Sequence, residues 1–161
     1  MTQHRLLAAL VATTALVGFA LTCDAGDNNN STSKVKATAT AGKINGQGEQ
    51  LVTITLKIEQ GWHLYANPVN HNKEFLDAAR TKVNLAAKAK LEGVRVLYPQ
   101  GKTYVDKDTK DEYDIYTGVV KIEANLKRVA GDTSPLELVI DVQSCNGKVC
   151  LIPGKVKLTI P

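Results

Sequence analysis

The sequence predicts an all-β domain, an antiparallel sandwich, on three observations. Apolar and polar residues alternate over short runs, the period of a half-buried strand. Glycine- and proline-containing turns separate these runs. About seven such runs fit in roughly 125 residues, the spacing expected of a two-sheet sandwich.

The first run is Lys34 to Ala41, where small residues and threonines alternate. Gln47-Gly48 and its neighbours read as a hairpin loop. Val52, Ile54, Leu56 and Ile58 then share one strand face, with Thr53, Thr55 and Lys57 on the other, and Gly61 ends the strand. Phe75, Ala79, Val83, Ala87 and Leu91 recur every four residues in an Ala- and Lys-rich segment, so propensity alone predicts a helix. The competing reading is a turn near residues 74–80 and a strand from Thr81 to Ala86. Val94 to Tyr98 is a short strand closed by Pro99-Gln100-Gly101. Gly118 to Leu126 alternates again, and a turn follows at Gly131 to Pro135. Leu136, Leu138, Ile140 and Val142 line one face of the next strand. Val156, Leu158 and Ile160 point inward from the last. Lys102 to Tyr116 is too charged for core and too long for a minimal hairpin, so it reads as a functional or mobile loop.

The amino terminus has the pattern of a targeting signal. Arg5 precedes an uncharged apolar stretch from Leu6 to Leu21, and Asp24 and Asp27 follow. Residues 1–25 are therefore expected to be a signal peptide, residues 26–33 a polar linker, and residues 34–161 the folded domain. Such a leader places the domain outside the cytoplasm, where disulfides persist. Cys23 lies where a bacterial lipoprotein carries its lipidated cysteine, but Ala20-Leu21-Thr22 fits a lipobox poorly. Lipid attachment to the membrane and loss within a cleaved peptide both stay open for Cys23.

The net charge of +4 is scattered among acids, and no basic groove with interleaved aromatics accompanies it, which argues against nucleic acid. Zinc would need two ligands beyond Cys145 and Cys150, and His63 and His71 lack paired spacing. A methionine-free mature chain disfavours copper. No cofactor or metal is expected, nor a catalytic triad or phosphate loop.

Cys145-Asn-Gly-Lys-Val-Cys150 is the informative segment. Asn146-Gly147 is a tight-turn signal, since both residues tolerate positive φ. Strands entering at Cys145 and leaving at Cys150 would bring the two α-carbons within disulfide reach. A structural staple closing about six residues is worth roughly 2 kcal/mol in the chain-entropy model. An accessible short-loop disulfide would instead exchange with partner thiols. The spacing alone does not choose between them. Lys148 between the cysteines would favour a thiolate, or is a solvated turn residue. Acids on the long loop would raise a thiol pKa.

The chain resembles a known family in four ordered segments. Gln143-Ser-Cys145 through Cys150-Leu-Ile-Pro153 resembles the cysteine segment of the periplasmic amino-terminal domain of the thiol:disulfide interchange protein DsbD. Gly61-Trp62-His63-Leu64-Tyr65 resembles the family's Gly-aromatic segment. Tyr98-Pro99-Gln100-Gly101 resembles its Pro-x-Gly turn. Asp111-Glu112-Tyr113, followed by Tyr116-Thr117-Gly118, resembles its cap region. The resemblance implies an immunoglobulin-like antiparallel β-sandwich and favours the strand over the helix at residues 81–86. It implies a monomeric electron relay with Cys150 as the attacking thiol and Cys145 as the resolving one. Periplasmic thiol/disulfide proteins would be its partners. It further implies a cap over roughly Asp106 to Tyr116, with Asp111, Glu112 and Tyr113 as candidate site residues. Trp62 and Tyr65 are candidates for lining the site. His63 is expected to be an exposed strand-end residue rather than a catalytic base, since thiol exchange does not require one. No transmembrane or thioredoxin-like segment accompanies the domain, so the relay would need a separate reductant. A non-catalytic immunoglobulin-like binding module with a structural disulfide is the alternative.

Overall fold

A computed structural model describes residues 29–71 and 75–161. The expected signal peptide, with Cys23, lies outside them. Among the described residues, eleven strands, a five-residue helix and one 3-10 turn form an immunoglobulin-like antiparallel sandwich, as expected. One layer is a four-stranded sheet in the order β1-β2-β8-β5, made by Val35–Ala41, Glu49–Ile58, Val119–Lys127 and Gly93–Leu97. The facing layer holds a three-stranded sheet, β11-β9-β4, made by Gly154–Ile160, Leu136–Val142 and Lys82–Ala87. A second four-stranded sheet, β10-β3-β7-β6, is made by Ser144–Cys145, His63–Tyr65, Glu112–Tyr116 and Lys102–Val105. Only Gln143 separates β9 from β10, so one run of chain feeds both of these sheets.

Register explains the core. Val52, Ile54 and Leu56 on β2 oppose Ala124, Ile122 and Val120 on β8, and all six are buried. Directly opposed residues share a face, so the two alternating patterns merge into one apolar surface. Leu136, Leu138 and Ile140 of β9 supply the other wall and are fully buried. Val156 and Leu158 of the edge strand β11 are only half-buried against it.

Residues 75–91 resolve as the strand reading. Among the described residues helix α1 covers Phe75–Ala79, and β4 pairs Val83, Leu85 and Ala87 with Ile140, Leu138 and Leu136. Pairing with an apolar strand outweighs helix propensity there.

Two expectations need correction. The polar stretch expected to be a linker is docked from residue 29. Ser31 is fully buried, its Oγ accepts the Ser144 amide at 2.9 Å, and its carbonyl accepts the Ser144 hydroxyl at 2.9 Å. Asn29 and Ser31 also pair their backbones with Ile152. Lys102 to Tyr116 is a hairpin rather than a loop. β7 escapes a period-2 reading because four consecutive residues, Tyr113 to Tyr116, are all buried. Tyr113 and Ile115 face one side and Asp114 and Tyr116 the other. Asp114 is tolerated inside because its carboxylate accepts from Asn70 Nδ2 at 2.6 Å and Thr103 Oγ1 at 3.1 Å.

Gly101 sits at the base of that hairpin. A Cβ there would lie 2.6 Å from Ala66 Cβ and 2.8 Å from Asp114 Cβ, atoms fixed by their backbones. Gly101→Ala is therefore expected to lower stability by about 1–3 kcal/mol. Gly147→Ala, with nothing within 4 Å of the added carbon, should stay within about 0.5 kcal/mol of wild type. Urea unfolding of both variants checks the pair.

Candidate redox site

The cysteines lie on a short hairpin that β10 begins. Leu151 N–H donates to Ser144 O at 2.9 Å, and Asn146 N–H donates to Val149 O at 2.9 Å. Cys145 and Cys150 thus face each other at a non-hydrogen-bonded pair, where opposed strands approach most closely. Their α-carbons are 4.0 Å apart, and the sulfurs are bonded. The Asn146 side chain closes the turn by accepting from the Lys148 and Val149 amides at 2.8 and 2.9 Å. The turn signal at Asn146-Gly147 is correct. Its expected cause is not, because neither residue adopts positive φ and the Asn side chain does the work.

The two sulfurs have different surroundings. Cys145 is 1 % exposed, packed with Tyr65, Val69, Leu76, Tyr113 and Ile115 in an apolar cluster separate from the main core. Cys150 is exposed, and so are the apolar side chains beside it, Val149 at 53 % and Ile152 at 61 %. The Tyr65 hydroxyl lies 3.8 Å from Cys145 Sγ and 3.9 Å from Cys150 Sγ. Disulfide sulfurs carry no proton, so the phenol is the donor to both.

β10 pairs with β3 in a register that sets Cys145 opposite His63 and Ser144 opposite Leu64. His63 and Tyr65, two residues apart on β3, therefore share the face of Cys145. Tyr104 of β6 pairs with Tyr113 of β7, and their rings are 5.4 Å apart. Tyr113 lies 5.3 Å from Tyr65, and Tyr104 lies 5.2 Å from His63. The four rings thus form one connected row, and Tyr65 in it reaches the inner sulfur. His63 is 6 % exposed, which overturns the exposed strand-end expectation, and its Nε2 has no hydrogen-bond partner among the described residues.

Burial pushes the phenols of Tyr65 and Tyr113 above the ordinary tyrosine range. It pushes the His63 imidazole below its ordinary value, and the nearby Asp106 charge partly offsets this. The Asp106 carboxyl is held below the usual range by amide donors at Asp108 and Thr109, 2.9 and 3.0 Å away.

The candidates from sequence divide. Cys145, Cys150, Tyr65 and Tyr113 come together. Trp62 packs on the main core instead, with Lys34 Nζ 5.2 Å from its ring centroid. Asp111 and Glu112 line a shallow surface depression with Asn70 and His71. The acid coupled to the aromatic face is Asp106, in the turn of the β6–β7 hairpin. Lys148 lies at the exposed tip of the cysteine hairpin. His63, Tyr104 and Asp106 were not among the candidate site residues. An aromatic or histidine at every second position of Trp62 to Tyr65 was the available signal for His63.

Residues 32–160 match the family model of the N-terminal domain of thiol:disulfide interchange protein DsbD. No curated protein sequence matches the chain. Among solved structures, the N-terminal periplasmic domain of ScsB from Proteus mirabilis superposes with a TM-score of 0.59 at 19% identity, covering 78% of this chain. The chain spans only 45% of the length of that ScsB structure. The complex between the DsbD N-terminal and PilB N-terminal domains of Neisseria meningitidis gives a TM-score of 0.51 at 12% identity, over 78% of this chain and 80% of that one. At these identities the likeness concerns the fold.

The buried imidazole makes stability depend on pH. Above about pH 6.5 His63 is neutral in both the folded and unfolded chains. Below it the unfolded chain binds a proton that the fold resists, so stability falls as pH drops toward the depressed folded value. Urea unfolding at pH 8 and pH 5.5 should show this loss, and His63→Phe should reduce it without destabilising the protein at pH 8.

Proposed function

This chain belongs to the family of the N-terminal domain of thiol:disulfide interchange protein DsbD, and from that premise we propose that it exchanges disulfides with partner proteins through Cys145 and Cys150. The observation that carries the reading is the asymmetry of the pair: an exposed cysteine, Cys150, joined to Cys145, which is 1 % exposed. An incoming thiolate has access to Cys150 and not to Cys145, so reaction order follows from access.

In the reduced protein the Cys150 thiolate attacks a partner disulfide. A Cys150–partner bond forms and the partner's other sulfur leaves as thiolate. Cys145 then attacks Cys150 Sγ, the Cys145–Cys150 bond forms, and the partner departs carrying two electrons. A donor dithiol reloads the pair by the reverse sequence. Aromatic cover over Cys145 keeps bulk thiols and oxidants from the inner sulfur, so Tyr113 and Tyr104 act as the lid. Cap function belongs to the β6–β7 hairpin as a whole, with Asp111 and Glu112 on its outer rim.

The partners are thiol/disulfide proteins of the periplasm, in line with the Neisseria DsbD domain's complex with a PilB domain. The exposed Val149 and Ile152 offer them an apolar rim beside the reactive sulfur. The domain works as a monomer in the envelope, with Cys23 as the lipid attachment point if the leader is of lipoprotein type.

Cys145→Ala keeps the attacking sulfur and removes the resolving one. Mixed with a purified thioredoxin-fold oxidoreductase in its disulfide form, it should accumulate roughly tenfold more mixed disulfide than Cys150→Ala on a non-reducing gel. Equal trapping by the two variants would refute the assigned roles.

A further inference from the structure

The exchange sequence above requires Cys145 to lose a proton before or as it attacks. Its side chain is 1 % exposed, so bulk water has almost no access to take that proton. We propose that His63 accepts the Cys145 thiol proton at Nε2 during resolution of the mixed disulfide. The proposal rests on the exchange reading and adds a residue to it.

Three observations converge on His63. It lies directly opposite Cys145 in the β10–β3 register, and such pairs project to one face with their Cβ atoms about 4.5–5.5 Å apart. Its Nε2 is one of two buried side-chain polar atoms without a partner among the described residues, the other being Ser134 Oγ. A buried orphan of this kind calls for an explanation, and a catalytic role is one. The third observation is the state of its neighbours. Tyr65 on β3 and Tyr113 on β7 are held protonated by burial, so neither phenol can take a proton at neutral pH. Tyr104 on β6 contributes only its ring, 5.2 Å from the imidazole. Asp106, in the β6–β7 turn, is the charged group that acts on His63, and its carboxylate already accepts from two backbone amides. Burial keeps the imidazole neutral, and in the tautomer that carries its proton on Nδ1 the unpartnered Nε2 is an open acceptor.

The step balances as follows. Before it, Cys150 is bonded to the partner sulfur and Cys145 is a thiol. Cys145 Sγ attacks Cys150 Sγ while its proton passes to His63 Nε2. The Cys145–Cys150 bond forms, the Cys150–partner bond breaks, and the partner sulfur leaves with the electron pair as thiolate. The imidazolium then returns its proton to solvent or to the departing thiolate.

The test separates the two sulfurs by reacting the reduced protein with the disulfide of nitrothiobenzoate in a stopped-flow instrument. Attack by Cys150 releases the first coloured thiolate, and resolution by Cys145 releases the second. Cys145→Ala identifies the second phase by abolishing it. His63→Phe is expected to leave the first phase within about twofold and to slow the second by roughly ten- to a hundredfold at pH 7. In wild type the second phase should rise through a titration at or below neutral pH. In His63→Phe, and in His63→Gln, that titration should vanish and the rate should climb with hydroxide toward the thiol range. Circular dichroism and thermal melting establish that the variants are folded, and the unchanged first phase makes the same point. Two phases in both proteins, with equal second-phase rates and equal pH profiles, would overturn the role of His63 and leave exchange intact. Failure of wild type to release a second thiolate would overturn both.

Discussion

The pairing of two-residue β10 with three-residue β3 is the contact on which the site depends. It is short, yet it settles which face Cys145 presents and which side chains meet it. Cys145 stands between Cys150 on one flank and His63 on the other, and Tyr65 reaches both sulfurs from the same strand as His63. A one-residue slip would turn Cys145 to the opposite face and leave the aromatic cluster without its sulfur. Both edges of that pairing are braced. Ser31 holds Ser144 by two buried hydrogen bonds, and β7 pairs with the far side of β3.

Those braces come from segments distant in sequence. The amino-terminal turn at Ser31–Lys34 is polar in composition, yet it lies against the start of the cysteine hairpin and against Ile152 beyond it. On the other side, the Tyr116 hydroxyl donates to the Pro99 carbonyl at 2.8 Å and accepts the Asn67 amide at 3.1 Å. Together with buried Asp114, it ties the β6–β7 hairpin to the loop after β3. Cys150 is therefore carried by an exposed turn, while Cys145 behind it is fixed by the sandwich. Such a division suits a disulfide that must be reachable at one atom and protected at the other.

The strands with one wet face were legible in the sequence because their periodicity is undisguised. Val52 to Ile58, Val119 to Leu126 and Leu136 to Val142 all face inward where the alternation places them. The cysteine pair and its turn were legible too, from residue types alone. β3 and β7 were not, because both of their faces are covered and no alternation survives. Asp114 made this worse, since a carboxylate reads as solvent-exposed until its two partners are known. His63 was misread for the same reason: its burial follows from a partner strand far along the chain, which no local pattern announces. The segment from residue 29 read as a tether because serine and asparagine satisfy their hydrogen bonds equally well in water or against another strand. Helix periodicity at residues 75–91 was real but local, and the apolar register with β9 prevailed.

The central claim is that the Cys145–Cys150 bond exchanges electrons rather than stapling a hairpin. Its reduction potential tests this most directly, by equilibrating the protein in graded dithiothreitol or glutathione buffers and counting free thiols by mass. Exchange predicts a value of about −180 to −270 mV, the range of working dithiols. A bond that stays closed in the folded protein until below about −300 mV would mark a structural disulfide and contradict the claim.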